Sequence, residues 1–384
     1  MSSGCVKKMN KKTAYCPYRI CPLGAHSDHQ FGKITGFAID KGVKIAYTVC
    51  AKPSVHIASR NFPNAVEFPL NAPLQKAGDW ADYIRGAALA LSEKYTLTHG
   101  IDGVIAGELP IGGLSSSAAV IIAFLSALCD ANEIALEKSE MIRIAQLAEN
   151  AFVGVKCGTL DQSCEVYCQK DHLLYLDTLD GSFVRIPQNE AMPSYEIAVF
   201  FSGLSRTLVG SKFNMRVDEM KSAAYALMAY AGMEYGKFEE ARLRQVPYEV
   251  YLQYKDRLPV PFQKRAEHFY TEFRRVEQGA EAWKNGDLQT FGQLIFESGR
   301  SSIENYETGS PELIKLYEIM RETDGIYGGR FSGAGFKGCS MALIDPKKRE
   351  AIAETVRERY LQAFPHLRES FSVHFCKSAD GAKF

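Results

Sequence analysis

Apolar and polar positions alternate from Ile101 to Glu108, the period-two pattern of a strand with one buried face. From Ile121 the period changes, because Ile121, Ile122, Phe124, Leu125 and Leu128 recur at helical spacing. Between the two lies Leu109-Pro-Ile-Gly-Gly-Leu-Ser-Ser-Ser-Ala-Ala119. A strand, a glycine turn, three hydroxyls and a helix together suit an anion. Glycine lets backbone N–H groups turn toward a ligand without a Cβ in the way. The helix N-terminus adds unpaired donors and about half a positive charge. Ser115, Ser116 and Ser117 add further donors and one candidate metal ligand. Plain capping competes with this reading, since Ser caps helices and Gly makes turns. One serine suffices for a cap, and three exceed that need.

Elsewhere the pattern predicts a strand over Val43–Cys50 and a helix over Asp82–Tyr95. A strand is expected over Ile197–Ser202, then helices over Met215–Gly232, Lys264–Gly286, Leu288–Ser298 and Glu312–Thr323. A glycine-rich strand–loop–strand follows around Gly328–Ile344. Strands and helices mix without strict βα alternation, which predicts an α+β fold. With 384 residues, two domains are expected, 1–195 and 196–384, and no repeat or low-complexity linker separates them.

Composition narrows the function classes. Hydrophobic residues make up 46% and charged residues 23%, as in an ordinary globular enzyme. Lys plus Arg and Asp plus Glu are both 45, so no broad basic field exists to hold nucleic acid. No run of 18 apolar residues predicts a membrane span. The stretch from Met1 to Lys12 lacks the apolar core of a secretion signal. Ten scattered cysteines, without a paired Cys-x-x-Cys, argue for reduced thiols, no zinc site and a cytoplasmic setting.

Three more constellations carry candidate chemistry. Around Gly24, the stretch Pro17 to Gly32 packs Arg19, His26, Asp28 and His29 into eleven positions. It reads as a weak metal site, as turn chemistry, or as a wall of hydrogen-bonding groups for a polyhydroxylated ligand. Running into the stretch Leu147 to Gln162, the residues Ile142, Ala145, Glu149 and Phe152 are spaced three, four and three apart, so they share one helix face. A carboxylate on such an apolar stripe needs a cation: Mg²⁺ if phosphates lie nearby, or a Lys or Arg. Asp161, after Gly158, reads as a helix cap when taken alone. Finally, Gly328 to Ser340 holds five glycines in eleven residues, more than a tight turn needs, as if the backbone approached a ligand. The common phosphate signatures are missing: no Gly-x-x-x-x-Gly-Lys-Ser/Thr, no Gly-x-Gly-x-x-Gly after a strand, and no His-Arg-Asp or Asp-Phe-Gly.

The motifs around Gly24, Ser115 and Gly333, in this order, resemble those of the GHMP kinases, and the first of them narrows the resemblance to the galactokinase branch. Trp80-Ala-Asp-Tyr-Ile-Arg-Gly86, Arg206 to Arg216, Arg265-Ala-Glu-His268 and Ser310-Pro-Glu-Leu313 also have galactokinase-like counterparts. Tyr18 to His26, Lys264 to His268 and Ser301 to Glu307 are similar to galacturonokinases in particular. The resemblance implies a two-domain GHMP kinase fold with its active site in the cleft, using ATP and Mg²⁺. Gly112, Gly113, Leu114, Ser115, Ser116, Ser117 and Ala118 would wrap the nucleotide phosphates. Trp80 would meet the nucleotide, and the loop at Gly333 and Gly335 would close the site. Ser117 and Glu149 would hold Mg²⁺. Asp161 would face the sugar C1 hydroxyl as base or orienting group, with Arg19 beside it. Ala25, His26, Asp28, His29 and Phe213 would line the sugar.

Two departures from the family stand out. The phosphate loop is one residue short. Galactokinases also read Gly-Glu-His-Thr-Asp-Tyr where this chain has Gly24-Ala-His-Ser-Asp-His29. The family's Glu accepts from the sugar C6 hydroxyl, so its loss suits a substrate whose C6 is itself a carboxylate, with His29 as a new donor. The reading is therefore a kinase for the anomeric hydroxyl of D-galacturonic acid. Galactokinase proper and glucuronokinase are its alternatives. An inactive sugar sensor is disfavoured because Ser117, Ala118, Glu149, Asp161 and Arg19 are all retained. The expected assembly is a monomer or a weak homo-oligomer.

Overall fold

A computed structural model describes residues 11–204 and 212–384. Strands β1 (Lys12–Ile20), β2 (Lys33–Cys50), β3 (Ser54–Ser59) and β4 (Val66–Pro69) lead into helix α1 (Asp82–Ser92). Strand β5 (Gly100–Gly107) then precedes α2 (Ser116–Ala131) and α3 (Lys138–Leu147), which runs into a π-helical turn over Ala148–Val153. Next come α4 (Leu160–Tyr167), β6 (His172–Asp177), β7 (Phe183–Pro187) and β8 (Glu196–Phe201). The chain continues through α5 (Phe213–Tyr230), α6 (Tyr248–Tyr254), α7 (Val260–Lys284), α8 (Leu288–Glu304) and α9 (Pro311–Glu322). It ends with β9 (Ile326–Phe331), β10 (Cys339–Ile344), α10 (Arg349–Ala363), β11 (Ser372–Cys376) and β12 (Ser378–Ala379).

These strands form two sheets, and the fold is the expected α+β. One runs β4-β3-β5-β2-β6-β7, with β1 and β12 also paired to β2. The other is the antiparallel order β11-β8-β10-β9. The last strand of the chain thus pairs with the second. Helix α2 is apolar nearly all round and buried from Ala118 to Ala131 except at Val120 and Asp130, as a helix must be when it is covered on every side. A continuous apolar core joins the sheets, with Trp283 of α7 packed 5.2 Å from both Phe37 and Phe291, centroid to centroid. No described helix is long and apolar enough to cross a membrane, and every described cysteine is free.

Several expectations need adjusting. Strand β2 starts ten residues before Val43, and α8 continues to Glu304 rather than stopping at Ser298. The helical stripe ending in Phe152 does not continue as an α-helix, because the wider π turn begins at Ala148 and ends at Gly154, whose φ is +91°. The motif Arg206 to Arg216 lies outside the described residues up to position 211.

Candidate active site

The three motifs meet. A single cavity of about 980 Å³ is lined by Arg19, Ala25, His26 and Asp28 from the β1–β2 connection, by Gly112, Gly113 and Ser115 to Ser117 from the β5–α2 turn, and by Glu149, Asp161 and Gly333. Trp80 and Phe213 line it as well.

The β5–α2 turn is not a plain side-chain cap. Ser115 stands at the N-cap of α2 with φ +58°, but its side chain caps nothing, and its hydroxyl is buried without a partner. An orphaned buried hydroxyl beside free helix N–H groups fits a bound phosphate. Leu114 and Ala118 are buried behind this turn, and Gly335 also lies off the cavity wall. The glycines serve a purpose the composition did not reveal. A Cβ at Gly333 would stand 3.0 Å from the Gly113 backbone, and one at Gly113 2.7 Å from Cys339 Sγ. Their small size lets the two loops pack on each other.

Arg19 and Asp161 form the centre of the site. Arg19 is buried at the end of β1 and donates from Nε and Nη2 to one oxygen, Asp161 Oδ1, at 2.8 and 2.7 Å. Its Nη1 donates to the Gly113 carbonyl at 3.3 Å, so one guanidinium bridges the acid and the phosphate cradle. Burial alone would lower the Arg19 pKa, and Asp161 raises it above its ordinary value. Asp161 lies in the first turn of α4 and caps no helix. Among the described residues, no guanidinium donates to its Oδ2.

Glu149 is buried, and its Oε2 accepts from Gln162 Nε2 at 2.6 Å and Cys157 Sγ at 3.5 Å. Burial and the Asp161 charge raise its pKa to about 7, while the Ser117 hydroxyl lowers it. Among the described residues no Lys or Arg forms an ion pair with it. A buried carboxylate hydrogen-bonded by neutral donors has the chemistry of a cation ligand.

On the sugar side, Asp28 Oδ2 accepts from Leu160 N at 3.2 Å, and burial followed by the Asp161 charge raises its pKa to about 6. Ala25 is buried at the wall, and its carbonyl is 3.1 Å from His268 Nε2. His26 stacks on Tyr306 with ring centroids 4.2 Å apart, and its buried Nε2 has no partner. His29 is the exception. It sits behind the wall, edge-on to Phe213, with Gln30 on one ring nitrogen and Tyr306 on the other, and burial lowers its pKa to about 3. With both ring nitrogens engaged and the ring off the cavity wall, His29 is not placed as the expected donor to the sugar.

Phe62, Thr308 and Tyr83 are among the cavity residues that went unforeseen. Phe62 lies parallel to Trp80 at 6.0 Å, and Thr308 donates to the Ala334 carbonyl of the glycine loop at 2.9 Å. Tyr83 also lines the wall, one helical turn from Trp80, a spacing visible in the sequence.

Residues 82–169 match the GHMP kinases N terminal domain, and residues 280–362 match the GHMP kinases C terminal domain. A protein of Arabidopsis thaliana named galacturonokinase is 38% identical, covering 97% of this chain and 93% of its own. The galactokinase of Roseiflexus sp. (strain RS-1) is 32% identical, covering 95% and 90%. The crystal structure of Lactococcus lactis galactokinase complexed with galactose superposes with a TM-score of 0.88 at 26% identity, covering 97% of this chain and 95% of that one. Mevalonate kinase of Methanococcus jannaschii, at 15% identity and TM-score 0.67, shares the fold. The chain belongs to the GHMP kinase family, in its galactokinase branch.

Proposed function

We propose that this sugar kinase transfers the terminal phosphoryl group of ATP to the C1 hydroxyl of D-galacturonic acid. The observation that carries the transfer is the Arg19 guanidinium, held by Asp161 on one side and by the phosphate cradle at Gly113 on the other. A cation between acceptor and donor stabilises charge on the transferring group, the main task in phosphoryl transfer. With Asp161 Oδ1 taken by Arg19, Oδ2 is the oxygen left to orient the C1 hydroxyl or accept its proton. Trp80 and Phe62 offer aromatic faces for the nucleotide base. Ser117 and Glu149 would hold Mg²⁺, which when bound would neutralise phosphate charge. Support for the uronate comes from Ala25, which leaves the C6 end without an acid, and from the 38% identity to galacturonokinase. The same reading divides the chain at 195/196; β1 to β7 lie before that point and β8 to β12 after it, with β12 pairing back to β2 of the first sheet. A coupled assay over galacturonate, galactose and glucuronate tests it: galacturonate should have the highest kcat/KM, and no turnover of any sugar would end the kinase reading.

Two expected results follow here. Glu149→Ala should raise the Mg²⁺ concentration needed for half-maximal activity by about tenfold or more, since outer-sphere partners alone are worth that much. Sugar binding, read by calorimetry, should change little. If excess Mg²⁺ rescues nothing in the folded variant, Glu149 is not a ligand.

Asp28 sets a pH dependence. Its pKa is raised to about 6, so it is ionised above that pH and protonated below it. An ionised Asp28 accepts hydrogen bonds from sugar hydroxyls, and kcat/KM for the sugar should fall with unit slope as pH drops below about 6. Asp28→Asn should be weak throughout and lose that slope. Because the raised pKa marks a carboxylate disfavoured by folding, Asp28 costs stability above pH 6, and the cost fades as the pH falls toward 4.

A further inference from the structure

Helix α7 carries a polar stripe in its interior. Arg265, His268, Glu272 and Arg275 are spaced three, four and three apart, and the first three are fully buried. Burying so much polarity is costly unless each group is met. Here each is met, and the partners cluster at the sugar end. Glu272 Oε1 accepts from the backbone N–H of Gly24 at 2.7 Å, and Ser298 donates to the same oxygen. One turn earlier, His268 Nε2 is 3.1 Å from the carbonyl of Ala25. Two consecutive residues of the sugar loop are therefore held by residues four apart on one helix. Gly24 has φ +98°, and a Cβ there would stand 2.5 Å from the Ile34 Cα, so the loop is pinned from its other side as well.

The opposite face of the same cluster reaches the third motif. Arg330, the last residue but one of β9 before the glycine loop, is fully buried. It donates to Ser298, to Ser302 at 2.9 Å, and lies 3.5 Å from Glu272 Oε1. Glu272 Oε2 takes Arg275 Nε at 2.8 Å. The cluster thus ties the loop that faces the sugar to the strand that carries the closing loop, through one buried anion.

We propose that Glu272 is a positioning residue for sugar binding, fixing the Gly24–Ala25 backbone against Arg330 so that the sugar wall has one register. It touches neither substrate, and it acts through the loop. The proposal rests on the sugar-kinase reading above. Glu272→Gln keeps an acceptor oxygen for Gly24 but removes the charge that holds Arg330 and Arg275. In the folded variant, KM for the sugar should rise about tenfold or more while KM for ATP stays within about twofold. Amide hydrogen exchange over residues 21–26 should quicken, without matching change in α2. If Glu272→Gln does not fold, Ser298→Ala removes one hydroxyl, which donates to Glu272 and accepts from Arg330, and should move both readouts the same way by a smaller factor. Both KM values rising together, or unchanged exchange over 21–26 in a folded variant, would overturn the proposal. If the wild type turns over none of the three sugars, the functional reading fails, and the exchange measurement still decides whether Glu272 holds the loop.

Discussion

Ala25→Glu should lower kcat/KM for galacturonate by up to about a thousandfold and spare galactose. Ala25 stands at the cavity wall, with its carbonyl held by His268 and its neighbour His26 offering an unpartnered nitrogen. The buried cation Arg330 is already engaged by Glu272, Ser298 and Ser302. Two like charges about 4 Å apart at an effective dielectric near 20 repel by about 4 kcal/mol, roughly a thousandfold in affinity. Solvent screening and protonation reduce that figure. Galactose brings a hydroxyl donor to the same place and meets no such penalty. The measurement is kcat/KM for both sugars in wild type and variant. Equal loss for both would put the C6 contact elsewhere, and a wild type that prefers galactose would remove the uronate from the reading.

The second large effect belongs to the centre of the site. Asp161→Asn should cut kcat by about a hundredfold or more, the usual range for a positioned acid–base group, while ATP-analogue binding stays near wild type. The amide oxygen can still accept from Arg19 at the position of Oδ1, so geometry survives while the charge is lost. Arg19 then lies buried without its anion, and a thermal melt of the variant separates lost chemistry from lost fold. Turnover near the wild-type rate would take Asp161 out of the reaction.

Local pattern revealed those parts of this molecule that are local. Helices α1, α5, α7 and α9 each bury one face, and their apolar spacing placed them within a few residues. Strand β2 was read from Val43 because Ile34 to Ile39 is buried on both faces and shows no alternation. The π turn at Glu149 was invisible for a related reason: a wider turn leaves residue order unchanged. The Arg19–Asp161 pair joins positions 142 apart in the chain, and only the family resemblance brought them together. His29 misled because a histidine in a polar cluster looks available, while its ring is packed behind Phe213 and Tyr306. The stripe on α7 was the reverse case, legible as a helical period of polar residues but quoted only for its likeness to the family.

The contact between the two glycine loops has a consequence for how this protein can be recombined. Gly113 and Gly333 meet backbone to backbone, and no side chain stands between them to absorb a change in path. The halves on either side of position 195 are therefore not interchangeable parts. A chimaera that takes its first half from one relative and its second from another inherits two loop shapes that never fitted each other. Such hybrids would present a misshapen turn at 112–113, unless that turn and the loop at 333–338 come from the same parent.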